Sequence, residues 1–445
     1  MQLINSFLFV FSFTLKDRYV LEDYDSKAPF SSFLPGIAGL YGKPCWAFYV
    51  NRGQAIATFG TRSKDFPIVE FNPANKAYFL TPYIGFRTFL QGSRNNIKFL
   101  VEPFSPDSTA NLDDNSTKLI PKRVMYIGSN EVEIKELDPI NNIETSVTYI
   151  ILPNEDFSSL VRRTTITNTD ASSDLTLSIL DGLAQIEPVG GPLDWMLKNM
   201  GRTLEGWFGV YFADDSMTMP FYRMSTEPSD SASVKIEQEG HYVLSFIESS
   251  GDTNEVLLPI IYDSTKVFGQ HTTLNKAESL KTKTVKEILA APQYGDAKTS
   301  SAFAAVEEVT LKPGESITIA SFYGKTDSVS KVPKIAATVT QPGFVTQKFK
   351  EARVLVDDLT ASVDTETADH LFNGLVKQFF LDNALRGGLP IMLGDVDDEA
   401  KHHNADEDPR VKVFHAFSRI HGDLERDYNA FEIVPSYFSQ VRQLI

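Results

Sequence analysis

Residues 175–179 read Leu175-Thr176-Leu177-Ser178-Ile179, with an apolar side chain at every second position and a hydroxyl side chain between. Successive side chains of a strand point to opposite faces of its sheet, so this alternation predicts a strand with one buried face. In residues 162–168, Arg163, Thr165 and Thr167 alternate with Thr164 and Ile166, and residues 146–152 are rich in β-branched and aromatic side chains. We therefore predict that strands follow one another in this part of the chain.

Further short strands are predicted on both sides of this region, at residues 46–50, 55–59, 68–71, 306–311 and 316–322. Pro313-Gly314 separates the last two and is typical of a hairpin-like turn. The chain of 445 residues also contains 32 Phe and 16 Tyr, a content that favours β structure. Strands at this spacing without helices between them indicate a large β-sandwich, from about residue 15 to about residue 340.

The hydrophobic period changes after Gly343. An amphipathic helix is predicted from apolar residues at steps of three and four, namely Val345, Phe349, Ala352, Val356 and Leu359. A second predicted helix carries Leu371, Leu375 and Phe379, and it ends at Gly387-Gly388. Apolar residues surround most of that second helix, so we expect it to be well buried.

The net charge of −16 argues against binding to nucleic acids or to anionic membrane surfaces. Cys45 is the single cysteine, which excludes an internal disulfide and fits a reducing, cytoplasmic location. Residues 7–13 are apolar but too few to span a bilayer. They predict either an ordinary strand or a targeting segment, and this alternative stays open.

Residues 418–429 form a polar stretch, SRIHGDLERDYN, between two apolar segments. Arginine pairs with carboxylates or phosphates through two parallel hydrogen bonds, carboxylates accept sugar hydroxyls, and tyrosine offers a stacking face. The stretch therefore has the composition of a site for hydroxyl-rich or anionic ligands. A salt-bridged surface turn has the same composition, so the residues alone leave both interpretations open.

This stretch, extended to SRIHGDLERDYNAF, resembles a signature of the glycoside phosphorylases related to cellobiose phosphorylase, in glycoside hydrolase family 94. The larger β-1,3-glucan phosphorylases resemble it most. The resemblance runs from about Tyr19 to about Gln440. Its other matching stretches are YVLEDYDSKAPFSSFLPGIAGLYG from Tyr19, WAFYVNRGQAIATFG from Trp46, EFNPANKAY from Glu70, GFRTFL from Gly85, LDGLAQIEPVGG from Leu180 and FFLDNALRGG from Phe379.

The resemblance implies a mainly β fold with three parts. Residues 1–342 would form a large β-supersandwich similar to galactose mutarotase. Residues 343–388 would form a helical linker, and residues 389–445 the truncated start of an (α/α)6 barrel. Dimers are usual in the resembling enzymes, so a homodimer is expected of the full-length enzyme.

The resemblance also implies an activity, the cleavage of a β-glucosidic bond by inorganic phosphate to give α-glucose 1-phosphate with inversion. The expected partners are a β-glucan oligosaccharide and phosphate as co-substrate, with no cofactor. In the resembling enzymes the catalytic acid is an Asp within the helical barrel, and few residues follow Gly387 here. We therefore name no catalytic residue and expect this chain to be inactive alone.

Substrate-binding roles are expected for residues of the signature stretch and of the turn after residue 50. These are Arg419, His421, Asp423, Arg426, Asp427, Asn51 and Arg52, with Asn72 and Arg87 as further candidates. The alternative for each is an ion pair or hydrogen bond within the protein. His402 and His403 are adjacent, a spacing that does not readily bring two side chains onto one ion, so no metal site is predicted.

Two other functions remain open at this point. A non-catalytic carbohydrate-binding or scaffold protein can use the same β-sandwich, since fold alone does not decide function. A glycoside hydrolase on the same scaffold would need a second carboxylate to activate water.

Overall fold

The computed structural model describes residues 18–34, 37–39, 42–43, 45–61, 65–106, 120–188, 193–214, 216–227, 232–249, 251, 253–361, 365–369, 372–377, 390–392 and 412–414. The polar stretch 418–429 lies outside these residues, as do His402 and His403. Residues 371, 379 and 380 of the second predicted helix also lie outside them.

Strands make up most of the regular structure of the described residues. They are β1 (Tyr19–Glu22), β2 (Ser31–Leu34), β3 (Trp46–Val50), β4 (Ile56–Gly60), β5 (Pro67–Val69), β6 (Phe86–Arg94), β7 (Ile97–Val101), β8 (Lys122–Ile127), β9 (Val132–Asp138), β10 (Ile143–Ile151), β11 (Ser159–Asn168), β12 (Leu175–Ile186), β13 (Phe208–Phe212), β14 (Pro220–Met224), β15 (Gly240–Ile247), β16 (Ile260–Ile261), β17 (Ser300–Leu311), β18 (Ser316–Thr326), β19 (Pro390–Met392) and β20 (Lys412–Phe414). The α-helices are α1 (Ala74–Ile84), α2 (Leu193–Met200), α3 (Ser264–Phe268), α4 (Val285–Ala290), α5 (Val332–Val339) and α6 (Phe344–Thr360).

Two large antiparallel sheets pack face to face. One has nine strands in the order β1-β8-β9-β10-β11-β18-β15-β14-β13, and the other has five in the order β16-β17-β12-β6-β7. A four-stranded sheet, β2-β3-β4-β5, lies beside them, and β19 pairs with β20. The prediction of a mainly β fold is confirmed.

Residues 175–179 form the strand with one buried face that their alternation predicts. Leu175, Leu177 and Ile179 are buried, whereas Thr176 and Ser178 are partly exposed. The three apolar side chains pack against residues of the facing sheet, including Ile166 and Ile319. This contact between β12, β11 and β18 forms one part of the core.

The predicted hairpin at Pro313-Gly314 is wrong. β17 pairs with β12 of the five-stranded sheet, whereas β18 pairs with β11 and β15 of the nine-stranded sheet. The turn therefore carries the chain from one sheet to the other. Asn168 holds this turn in place through two hydrogen bonds. Its backbone carbonyl accepts from Gly314 N at 2.9 Å, and its side-chain Nδ2 donates to Leu311 O at 3.0 Å.

The first predicted helix is confirmed as α6. Val345, Phe349, Ala352 and Val356 are buried, and the first three pack in the same core cluster as β10, β11, β15 and β18. The helix thus packs directly on the nine-stranded sheet. None of the helices among the described residues is long and apolar enough to cross a membrane.

The second predicted helix is helical at residues 372–377. Phe372 and Leu375 are 51% and 48% exposed, so the prediction that this helix is well buried is wrong for these two residues. The apolar face of α6 packs against the sheet, so it is not available as a partner for the second helix.

Candidate functional site

The five predicted ligand residues of the signature stretch lie outside the described residues, and their roles stay predictions. They are Arg419, His421, Asp423, Arg426 and Asp427. The other predicted residues, in the turn after β3 and near α1, are described and have defined contacts.

Asn51 is fully buried and bonds to the segment between β1 and β2. Its Oδ1 accepts from Phe30 N at 2.9 Å. Its Nδ2 donates to Tyr24 O at 2.8 Å and to Ala28 O at 3.2 Å. The side-chain amide is thus occupied by backbone groups and holds two segments of the chain together.

Arg52 follows Asn51 and is partly exposed. It donates to Asn51 O at 2.6 Å and to Lys27 O at 3.2 Å, so it binds the same segment as Asn51. Asn72 is also partly exposed and has one long hydrogen bond, from Nδ2 to Glu70 O at 3.4 Å.

Arg87 is buried between two aromatic rings and a carboxylate. Its Nε and Nη2 donate to Glu102 at 2.5 and 2.9 Å, and its Nη1 donates to Leu274 O. The guanidinium carbon lies 4.9 Å from the ring centre of Phe89 and 5.1 Å from that of Phe268. Arg87 therefore joins β6 to the 270–275 segment through contacts within the protein.

A buried polar network crosses the interface of the two large sheets. Arg162 on β11 pairs with Asp181 on β12, and both side chains are 0% exposed. Arg162 Nη2 also donates to Gln54 Oε1 at 2.5 Å, and Thr88 Oγ1 donates to Asp181 Oδ1 at 2.6 Å. Tyr149 completes the network, since its hydroxyl donates to Gln54 O at 2.9 Å.

Burial opposes the charged form of Arg162, but the adjacent Asp181 carboxylate outweighs it and raises the pKa of Arg162. Burial raises the pKa of Tyr149 to about 12, so that hydroxyl keeps its proton at neutral pH. The network thus holds one charged pair and one neutral phenol. A charged pair out of water is stabilising only where its remaining donors and acceptors have partners, which Gln54 and Thr88 supply here.

A second polar group lies at the C-terminal end of β12, where three sheets meet. Glu187 N donates to Ile68 O of β5 at 2.9 Å, and His241 of β15 contacts the Glu187 carbonyl oxygen. That oxygen can only accept, so His241 donates from Nδ1. The backbone of Glu187 thus links the five-stranded sheet to both of the others.

The carboxyl group of Glu187 has an unusually high pKa. Burial, together with the nearby carboxylates of Glu70 and Glu205, raises the pKa of Glu187 to about 7 against the hydrogen bond from Gln185 Nε2, which measures 2.8 Å. Burial also raises the pKa of Glu70. Near neutral pH the Glu187 carboxyl can therefore either donate or accept a hydrogen bond, a property typical of functional sites.

His241 stays neutral beside this group. Burial and the nearby Lys325 lower the pKa of His241 to about 3. Its Nε2 is buried and has no hydrogen-bond partner among the described residues. The carboxyl groups are not arranged for a metal ion, since no group of three or more His, Cys, Asp or Glu in the described part of the chain could hold one.

Sequence reasoning missed both polar groups. Asp181 is a single acidic residue within the apolar run LSILDGLA, and Glu187 follows the end of the same strand. A charged residue inside a buried strand needs a partner, so Asp181 was a detectable signal. Its partner Arg162 lies on the facing sheet, which spacing along the chain does not reveal.

Comparisons with known proteins give no family. No protein-family profile and no curated protein matches the chain. Membership of the family 94 phosphorylases therefore rests on the resemblance of the quoted stretches and stays a prediction.

Several solved structures of carbohydrate-processing enzymes are similar at a low level. A bacterial glucoamylase complexed with acarbose has 10% identity and a TM-score of 0.35, over 79% of this chain and 39% of that one. The family GH92 α-mannosidase BT3965 from Bacteroides thetaiotaomicron has 12% identity and a TM-score of 0.32, over 82% and 40%. A protein from the human microbiome, assigned as a kojibiose phosphorylase, has 8% identity and a TM-score of 0.25, over 84% and 34%.

A polysaccharide lyase is similar at the same low level. This chain spans only 32% to 40% of the length of these four structures. The TM-scores are too low for the likeness to carry an argument about this chain.

Proposed function

We propose that this chain forms the N-terminal portion of a carbohydrate-active enzyme of the β-glucan phosphorylase type. Such an enzyme cleaves a β-glucosidic bond with inorganic phosphate and releases α-glucose 1-phosphate with inversion. In this proposal the described residues up to 342 form the β-sandwich of the enzyme, and the catalytic acid belongs to a helical barrel.

The observation that carries the proposal is the spatial arrangement of the resembling stretches. Gln54, Thr88 and Asp181 belong to three of them, far apart in the sequence, and all three side chains meet in the network around Arg162. Glu70 and Glu187 belong to two of them and follow the ends of β5 and β12, near enough for the Glu70 carboxylate to raise the pKa of Glu187. The resembling stretches thus contact one another in the folded chain, which is expected if they belong to one shared domain.

The chemistry of Glu187 suits a contact with sugar. A carboxyl group whose pKa is about 7 can pair with a hydroxyl as donor or as acceptor at neutral pH. Inversion by phosphate needs one protonated acid and an attacking phosphate oxygen on the opposite face of the sugar ring. We assign Glu187 a sugar-binding role rather than a phosphate-binding one, because the two carboxylates that act on it, Glu70 and Glu205, would repel an anion.

The test is phosphorolysis of laminari-oligosaccharides and cello-oligosaccharides. The 445-residue chain and any longer product of its gene are incubated with oligosaccharide and phosphate, and glucose 1-phosphate is measured by anomer. We expect phosphate-dependent release of the α anomer by a product that includes a helical barrel. Release of the β anomer, or of free glucose independent of phosphate, would contradict the proposal.

A non-catalytic carbohydrate-binding protein is the second candidate. It is retained because Asn51 and Arg87, which the phosphorylase resemblance implied as substrate ligands, are instead occupied by contacts within the protein. Binding of oligosaccharide without any phosphorolysis, in every product of the gene, would decide for this candidate.

A further inference from the structure

A polar groove lies on the outer face of the nine-stranded sheet, beside α6. Its volume is about 470 Å³, within the range of roughly 300–1,000 Å³ typical of small-molecule sites. The strands β9, β10 and β11 form its floor, and side chains of α6 form a wall. It shares no residue with the group around Glu187.

Two rows of polar side chains cross the floor of the groove. Ser146 lies opposite Lys135 on one side and Thr165 on the other. Thr148, two residues further along β10, lies opposite Glu133 and Arg163. Directly opposed side chains in an antiparallel sheet are only about 5 Å apart at Cβ, so these rows present closely spaced polar groups. The Thr165 hydroxyl already shares a hydrogen bond with that of Thr318 at 3.0 Å, and it has a further lone pair to accept one from a ligand.

The position of α6 follows from the distribution of apolar residues on the sheet. Val161 and Ile150, near the other ends of β11 and β10, pack in one cluster with Val345, Phe349 and Ala352 of the helix. Ser146, Thr148 and Thr165 offer little apolar surface, so the helix does not cover them and they remain partly exposed. The groove lies at the boundary between the part of this sheet face that α6 covers and the part that it leaves uncovered.

The charges of the groove are largely balanced. Lys135 pairs with Glu144 at 3.0 Å, and Arg163 pairs with Glu248 at 2.7 Å. Glu133 pairs with Arg18 at 2.5 Å and also accepts from Ser146 Oγ at 2.8 Å. Arg353 on the helix wall pairs with Glu131 at 2.8 Å, whereas Lys350 beside it makes no ion pair with another described residue.

This balance selects the class of ligand. An anion would meet the carboxylates of Glu133 and Glu144, and a cation would meet the lysines and arginines beside them. An apolar ligand would find little surface, because Phe349 is 6% exposed and the Arg163 guanidinium lies 5.8 Å above its ring. Neutral molecules rich in hydroxyl groups remain, since each hydroxyl can both donate and accept.

We propose that this groove binds a short neutral oligosaccharide through the hydroxyl groups of Ser146, Thr148 and Thr165 and the ammonium of Lys350. It is independent of the proposed phosphorolysis, because a non-catalytic protein with this groove would bind the same class of ligand.

The experiment measures the binding of three probes, laminaritriose, cellotriose and maltotriose, to the 445-residue chain by saturation-transfer NMR and calorimetry. Thr148→Val and Thr165→Val together keep the shape of the floor and remove two hydroxyls. We expect this double variant to weaken binding of the best probe about 5- to 10-fold or more, since each lost hydrogen bond is worth a factor of several. Lys350→Ala, on the exposed helix wall, is expected to weaken it about 2- to 5-fold and cannot disturb the core.

Thr167→Val is the matched control, because Thr167 lies on β11 two residues beyond Thr165 and does not line the groove. Its binding should equal that of the unaltered chain. Three outcomes would overturn the proposal: no binding of any probe at about 10 mM, ten times a millimolar Kd; unchanged binding in both groove variants; or competition by inorganic phosphate. Melting temperatures of all variants show that each is folded.

Discussion

Arg162 and Asp181 form an ion pair between the two large sheets, and neither side chain is exposed to solvent. One residue comes from β11 of the nine-stranded sheet and the other from β12 of the five-stranded sheet. The pair therefore fixes how the two sheets are aligned. Gln54 lies between β3 and β4 of the four-stranded sheet and accepts a hydrogen bond from Arg162, so this sheet also joins the network.

Removal of one member of this pair should destabilise the fold severely. Arg162→Met leaves Asp181 buried and unpaired, and we expect a loss of about 3–5 kcal/mol in the free energy of unfolding. The double variant Arg162→Met, Asp181→Leu should lose less than Arg162→Met alone, because no charge is left without a partner. Urea unfolding followed by circular dichroism measures both.

Arg163→Met is the matched control for Arg162. It is the next residue on the same strand, but its side chain is 35% exposed and pairs with Glu248 near the surface. Its loss should be about 1 kcal/mol or less. Equal losses at the two positions would mean that the buried pair does not have the structural importance inferred here.

The raised pKa of Glu187 predicts that the stability of the fold depends on pH. The pKa of its carboxyl rises from an unfolded value near 4.5 to about 7, so the folded state holds this proton more tightly. The stabilisation is complete below pH 4.5 and is lost as the pH rises towards 7, to an extent on the order of 3 kcal/mol. Glu187→Gln, which cannot ionise, should lack this decline.

The measurement is urea unfolding of the unaltered chain and of Glu187→Gln between about pH 4.5 and pH 8, with the difference plotted against pH. Glu307→Gln controls for the loss of one surface carboxylate, since Glu307 is exposed on β17. Parallel curves for the unaltered chain and Glu187→Gln would show that the Glu187 carboxyl is not perturbed.

Asn51 should affect folding more than ligand binding. Asn51→Ala removes three good hydrogen bonds to the 24–30 segment, and we expect a loss of about 1.5–4 kcal/mol in the free energy of unfolding. Asn72→Ala, at a partly exposed side chain, should change it by about 0.5 kcal/mol or less. Unchanged stability of Asn51→Ala together with lost oligosaccharide binding would instead support the ligand role that the sequence predicted.

Local patterns predicted local structure well, and the limits of that prediction have a physical cause. The alternation at Leu175, Leu177 and Ile179 predicted a half-buried strand, because side-chain direction in a strand depends only on the local backbone. Pro313-Gly314 predicted a turn correctly but the wrong strand partners, since pairing is decided by distant residues. The Arg162–Asp181 pair and the acidic group at Glu187 join residues from separate sheets, which no spacing in the sequence encodes.

The predicted division between residues 342 and 343 can be tested through α6. This helix begins at Phe344, directly after the predicted division, and buries Val345, Phe349 and Ala352 in the core of the sheet. Asn130 Nδ2 donates to Ala352 O at 3.0 Å, and Arg353 pairs with Glu131 at 2.8 Å.

A chain that ends at residue 342 should therefore be much less stable than one that ends at residue 361. Burial of each large apolar side chain stabilises by about 1.5–3 kcal/mol, so loss of the helix should cost more than about 5 kcal/mol, comparable with the whole stability of a typical domain. We expect the shorter chain to be largely unfolded or aggregated, and the longer one to unfold in a single transition. Circular dichroism and urea unfolding of the two chains make the comparison. Equal stability would place the end of the sandwich at residue 342, and α6 would then belong to the helical linker that the resemblance implies.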